Sequence, residues 1–250
     1  MTTVGLLYPG FGAEDDFPEL ERRWAVSPHP PEVTLRLAHT SVGEDAHRVD
    51  ALRDLGGPDR LAAGVRELAD RGPMDSVMWA CTSGSFVFGW DGARRQADAV
   101  AELAGVPASS TSFAFVRAAR VLGVERVAVA ASYPHEVAES FVAFLGAGGL
   151  SVTALGSHGI VTAGEVGALG REQVLDLVRH APREGAQALL VPDTAMHSLA
   201  WVDEMEAAGG MPVLTANQVT VWEGLRLAGT PPRLPGLGRL FAGHADEPAP

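Results

Sequence analysis

A doubly wound α/β fold is predicted by three features of the sequence. Short apolar runs with the character of strands buried on both faces alternate with longer stretches whose apolar residues recur every three or four positions. The same order of strand ends also occurs twice along the chain. The first strand is Val4–Tyr8, an apolar run closed by Pro9, and Val33–Leu37 and Ser76–Ala80 are the next two. Leu61–Arg71, between them, places Leu61, Val65 and Leu68 on one helical face. Gly92–Ala104 and Phe113–Leu122 carry the same spacing and lead to the strand Val127–Ala131. The helix Pro134–Gly146 starts on a proline, which suits a first helical turn, and precedes the strand Ser151–Leu155. Arg171–Arg179, the strand Ala188–Val191, the helix Leu199–Ala208 and the strand Val213–Thr215 complete the alternation. Pro231–Gly236 reads as an extended connector, and Ala242–Pro250, built of proline, alanine and acid, as a mobile tail.

Composition removes several functions. The 250 residues are 46% hydrophobic and 20% charged, which excludes a disordered chain or a disulfide scaffold. A net charge of −12 repels phosphate backbones and anionic lipid, so neither nucleic acid nor a membrane is expected as a partner. All 19 basic residues are arginine. Without lysine there is no Schiff-base chemistry and no lysine of the phosphate-loop type. Cys81 is the sole cysteine, which forbids an internal disulfide and every multi-cysteine metal site. The eight histidines form no HxxxH or HExxH pair, so no metal is expected; His158, in a predicted loop, is the one to watch. A single reduced thiol, an N-terminus without a basic leader and no run of about 20 apolar residues predict a cytoplasmic protein.

The repeat concentrates attention on four strand ends. One strand ends in Tyr8-Pro9 and a later one in Cys81-Thr82-Ser83-Gly84-Ser85; in the second half, one ends in Ser132-Tyr133 and a later one in Asp193-Thr194-Ala195. Ligands of open α/β sheets bind beyond such carboxyl ends. Cys81 is either a small buried hydrophobe or a nucleophile whose thiolate the following helix start favours. The amides there, with the hydroxyls of Thr82, Ser83 and Ser85, would cradle a carboxylate. Asp193 reads as the N-cap of a helix or as a proton donor opposite Cys81, with one proton shared between the two groups. Tyr133 either aims its hydroxyl into a cleft or ends a strand. His197, four residues after Asp193, would be its neighbour on a helix. Phe11, Phe17, Phe86 and Trp90 are pocket liners or core. Gly10-Phe11-Gly12 lacks a third glycine and is followed by Glu14, Asp15 and Asp16, which argues against a dinucleotide site.

Four runs carry a resemblance: CTSGS at Cys81–Ser85, SYPHEV at Ser132–Val137, PVLTANQ at Pro212–Gln218 and PGLGRLF at Pro235–Phe241. In order and spacing they resemble the maleate isomerase and arylmalonate decarboxylase family, part of the aspartate/glutamate racemase superfamily. The resemblance implies two pseudo-symmetric Rossmann-like halves, 1–115 with 217–241 and 116–216, with 242–250 outside both and an active site between them. It implies no cofactor, a small carboxylate or dicarboxylate substrate and, by analogy, a homo-oligomer. Cys81 occupies the isomerases' nucleophile position, and Asp193 the position of a second cysteine. Decarboxylases of the group keep only that second cysteine, the reverse of this chain. Thr82, Ser83 and Tyr133 match a dioxyanion hole, Thr194 and Ala195 its remaining amides, and Pro9 the first-strand loop. Gly12 stands where isomerases carry a carboxylate-binding asparagine. The expected activity is cis–trans isomerisation through addition of the Cys81 thiolate. Decarboxylation or racemisation through an enediolate, and carboxylate binding without turnover, are the alternatives.

Overall fold

The computed structural model describes residues 1–10, 12–230, 234 and 236–242. Phe11, most of the 231–236 connector and the tail beyond Ala242 lie outside the described residues. The first sheet contains β1 (Thr2–Tyr8), β2 (Val33–His39), β3 (Ser76–Trp79) and β4 (Ala108–Ser110), in the order β2-β1-β3-β4. The second contains β5 (Arg126–Ala131), β6 (Ser151–Ser157), β7 (Ala188–Val191) and β8 (Val213–Thr215), in the order β6-β5-β7-β8. Every pairing is parallel, and the two sheets share one topology. This is the α/β architecture of two Rossmann-like halves that the sequence predicts.

The helices of the first half are α1 (Asp16–Ala25), α2 (Val49–Leu55), α3 (Pro58–Asp70), α4 (Ser83–Phe86), α5 (Gly89–Ala104) and α6 (Thr111–Val121). They are followed by α7 (His135–Ala147), α8 (Ala163–Gly167), α9 (Arg171–His180), α10 (Val202–Gly209), α11 (Ala216–Leu227) and α12 (Gly238–Ala242). β3 and β7 are buried at every position, as strands covered by helices on both faces must be. The helices that the sequence predicts are present with shifted ends. The predicted helix at Leu199 starts instead at Val202, and the segment 193–201 contains turns and no helix.

Of the elements that escape sequence periodicity, three do so for a clear physical reason. β4 is Ala-Ser-Ser, with no large apolar residue to mark it. α1 opens in a run of acids and contains Pro18. α11 is buried from Ala216 through Leu225, so it has no polar face and therefore no amphipathic signal. It packs on α6 and across β1, β3 and β4.

That packing depends on a glycine. A Cβ on Gly224 would lie 2.4 Å from Val4 Cγ1, and the Gly224 carbonyl accepts a bond from Ser76 Oγ at 2.7 Å. Gly224→Ala is expected to lower stability by about 1–3 kcal/mol through overpacking. Gly146→Ala, in α7 with open space around the new methyl, is expected to raise it by up to about 1 kcal/mol. Urea denaturation of the two variants reads the opposite signs.

Candidate active site

Parallel strands bring their carboxyl ends to one edge of each sheet, and the residues just past those ends meet at one cavity. Its volume is about 40 Å³. Tyr8 and Pro9 follow β1, Cys81 and Ser83 follow β3, and Asp193, Thr194 and Ala195 follow β7. The cavity is closed by Val42–His47, from the loop between β2 and α2, by Leu52 and Leu55 of α2, and by Ala163. Thr82 and Tyr133, also singled out by sequence, are buried but do not line it.

Cys81 sits between the last strand residues and the single turn of α4. The Gly84 N–H donates to its Sγ at 3.3 Å, and Ser83 Oγ lies 3.9 Å away. Those contacts favour the thiolate, but burial outweighs them, and the Asp193 charge adds to it, so the thiol is pushed up to about 12. The expectation that a helix start favours a thiolate at Cys81 is therefore opposed by burial, which favours the thiol.

Asp193 is not a helix N-cap. Its Oδ1 accepts the Ala195 N–H at 2.9 Å in a tight side-chain turn, and its Oδ2 accepts a short bond from Ser132 Oγ. β5 and β7 are hydrogen-bonded neighbours, which sets Ser132 beside Asp193. Burial raises the Asp193 carboxyl; His47, Ser132 and the Ala195 amide pull it back. The Ala195 amide, expected to serve an anion hole, is thus committed to Asp193. Ser85 is likewise absent from any cradle, because its hydroxyl bonds Ser110 at 2.7 Å.

Three buried hydroxyls make no well-formed hydrogen bond among the described residues, Thr40 Oγ1, Thr82 Oγ1 and Tyr133 Oη, and the last two lie close to each other and to Ser83. Unsatisfied buried donors are uncommon and call for an acceptor. Burial raises the Tyr133 phenol well above its ordinary value, with Asp193 and Cys81 adding to the effect, so it stays a donor.

Sequence spacing misses His47. It is buried, its Nδ1 lies 2.8 Å from the Ile160 carbonyl, and its ring meets Tyr133 edge-on at 4.9 Å. No local pattern marks it, because its partners come from the other half of the chain. His158, the histidine picked from sequence, is exposed, and His197 pairs with Asp15 at 2.7 Å instead of with Asp193. Phe17 and Phe86 are core, stacking on Tyr8 and Tyr133, and Trp90 packs on Phe113 and Phe144.

The family model described as arylmalonate decarboxylase matches residues 53–241. A maleate isomerase from Nocardia farcinica is 32% identical over 183 residues, 71% of this chain and 72% of that protein. The chain belongs to the maleate isomerase and arylmalonate decarboxylase family. The arylmalonate decarboxylase of Bordetella bronchiseptica is 32% identical over 57% of this chain and 61% of that protein. The solved structure of a cysteine-to-serine variant of the Nocardia farcinica maleate cis-trans isomerase superposes with a TM-score of 0.85 at 26% identity. It covers 96% of this chain and 98% of that one, and carries a covalently bound succinylcysteine intermediate.

Within this family, the glycine at position 12 has a steric cause in this chain. A Cβ there would lie 2.7 Å from Ala195 Cα, so the β1–α1 loop and the loop after β7 touch backbone to backbone. The same two loops are tied by Tyr8, whose hydroxyl donates to the Thr194 carbonyl at 2.9 Å and accepts the Ala13 N–H at 3.0 Å. Asp16 adds bonds from the Ser198 and Leu199 amides and from Asn217 Nδ2. Tyr8→Phe leaves a buried carbonyl and a buried amide without their partner. A loss of about 1–3 kcal/mol is expected, read by thermal unfolding.

Proposed function

We propose that this protein is a cofactor-independent enzyme acting on a small unsaturated carboxylate, a cis–trans isomerase in which Cys81 adds to the double bond. One observation carries the reading: Cys81 Sγ and the Asp193 carboxylate, from the ends of the corresponding strands β3 and β7, line the same cavity. A thiol near 12 cannot attack unaided at neutral pH, and a buried carboxylate nearby is the base it needs. Asp193 takes the Cys81 proton as sulfur bonds to one alkene carbon, and then returns that proton to the adjacent carbon. Rotation about the new single bond and reversal of both steps release the isomer, with no net change in protons. Ser83, which lines the cavity beside Cys81, and the nearby buried hydroxyls of Tyr133 and Thr82 supply donors as charge moves onto the substrate carboxylate. The loop that contains Val42 and His47 forms one wall of the cavity that the acid enters.

A second reading is favoured by the protonated state of the same thiol. An enediolate left by decarboxylation of a substituted malonate, or formed in racemisation, would take its proton from Cys81. Carbon dioxide release from phenylmalonate, without maleate turnover, would select it.

Two measurements test the leading reading. Conversion of maleate to fumarate, followed by proton NMR, is expected to fall on the order of 10³-fold or more in Cys81→Ser. Retained turnover would reject it, and binding without product in the wild type would leave a carboxylate-binding protein. Alkylation of Cys81 by iodoacetamide reports the thiolate fraction, which grows about tenfold per pH unit below the thiol's value. The rate is therefore expected to climb with pH without a plateau up to pH of about 10. Because the Asp193 charge raises the thiol, Asp193→Asn is expected to speed alkylation at any fixed pH.

A further inference from the structure

His47 is the one histidine that the structure carries into the cavity, and the isomerisation chemistry above gives it no task. Its side chain and that of Asp193 are 4% and 5% exposed, with His47 Nε2 4.0 Å from Asp193 Oδ2. A carbonyl oxygen only accepts, so the 2.8 Å contact with Ile160 fixes the proton on Nδ1 and leaves Nε2 as the atom facing the carboxylate. At 4.0 Å the two are not hydrogen-bonded. The two atoms face each other, near enough for a small movement to let one proton bridge them. The other titratable groups toward this point are Cys81 after β3, Tyr133 after β5, Tyr8 after β1 and Glu44 and Asp45 on the loop of His47. Among the described residues no hydrogen bond joins any of these groups to Asp193 Oδ2, whose partner is Ser132 Oγ. Nor is any lysine or arginine among the described residues lining the cavity.

We infer that His47 is a positioning residue for proton transfer, sharing through Nε2 the proton that Asp193 takes from Cys81. The second proton carrier of this cleft is then a buried histidine–aspartate pair. The inference rests on the role proposed for Asp193. During turnover the Cys81 proton moves to Asp193 Oδ2 and is shared with Nε2 while the carbanion waits. It then leaves from Asp193 to carbon, and His47 returns to its Nδ1–H form. No proton is gained or lost over the cycle. The ring is fixed by its contact to the Ile160 carbonyl and by the His47 N–H, which donates to the Val161 carbonyl at 2.7 Å.

The test needs no substrate. In the wild-type protein labelled at histidine nitrogen and aspartate carboxyl carbon, the His47 ring and the Asp193 carboxyl are expected to respond in one common protonation step. That step is expected to move in Asp193→Asn and in His47→Asn, the latter keeping a donor for the Ile160 carbonyl. Independent steps at separate pH values, each unmoved by the other substitution, would overturn the inference. Should Asp193→Asn fail to fold, His47→Asn alone decides between these outcomes. With maleate as the probe, the acid limb of kcat/KM is expected to move in His47→Asn, because Asp193 then holds the proton alone. An unmoved limb counts against the pair. A common NMR step in a protein that does not turn over maleate would reject the isomerase reading and leave the pair intact.

Discussion

Asp193 is a carboxylate removed from water at the end of β7, and its charge is met by hydrogen bonds and by the facing His47 ring, with no lysine in the chain. An uncompensated buried charge costs several kcal/mol, so the surrounding backbone has to be arranged around it. The Ala195 amide and the Ser132 hydroxyl provide that compensation. Each depends on a larger feature: the turn that follows β7 and the pairing of β5 with β7. The same charge raises the Cys81 thiol and the Tyr133 phenol. The reactivity of the whole cleft is thus governed by how well one carboxylate is held.

The holding extends outward to the first half. Tyr8 and Asp16 tie the β1–α1 loop to the residues after β7, and Gly12 lets the two backbones touch. A site made from the ends of two separate sheets needs such a brace, because nothing within either sheet fixes one end relative to the other. Flexible side chains are absent from the contact at Gly12, where backbone meets backbone. Rigid elements of this kind hold reactive groups better than loops do.

Much of the fold was legible in the sequence because parallel strands covered on both faces leave runs such as Val127–Ala131, and half-buried helices leave a stripe such as Leu61, Val65 and Leu68. The limits of that signal are physical as well. α11 is buried all round and so shows no stripe, and β4 has no large side chain to bury. Cys81 and Asp193 could be picked out because each follows an apolar strand in a repeated order. His47 could not, since its defining contacts are with Ile160 and Asp193, more than a hundred residues away.

The sequence by itself determined the parallel α/β class, the family and the strand ends that bear the candidate groups, all of which depend on local patterning and motif order. Tertiary structure alone decided the state of those groups. Burial favoured the thiol at Cys81, the turn after β7 spent the Ala195 amide on Asp193, and the packing of the β2–α2 loop set His47 beside the carboxylate. The reason is that proton affinity and hydrogen-bond satisfaction depend on which distant atoms displace water around a group, and no local stretch of sequence contains those atoms.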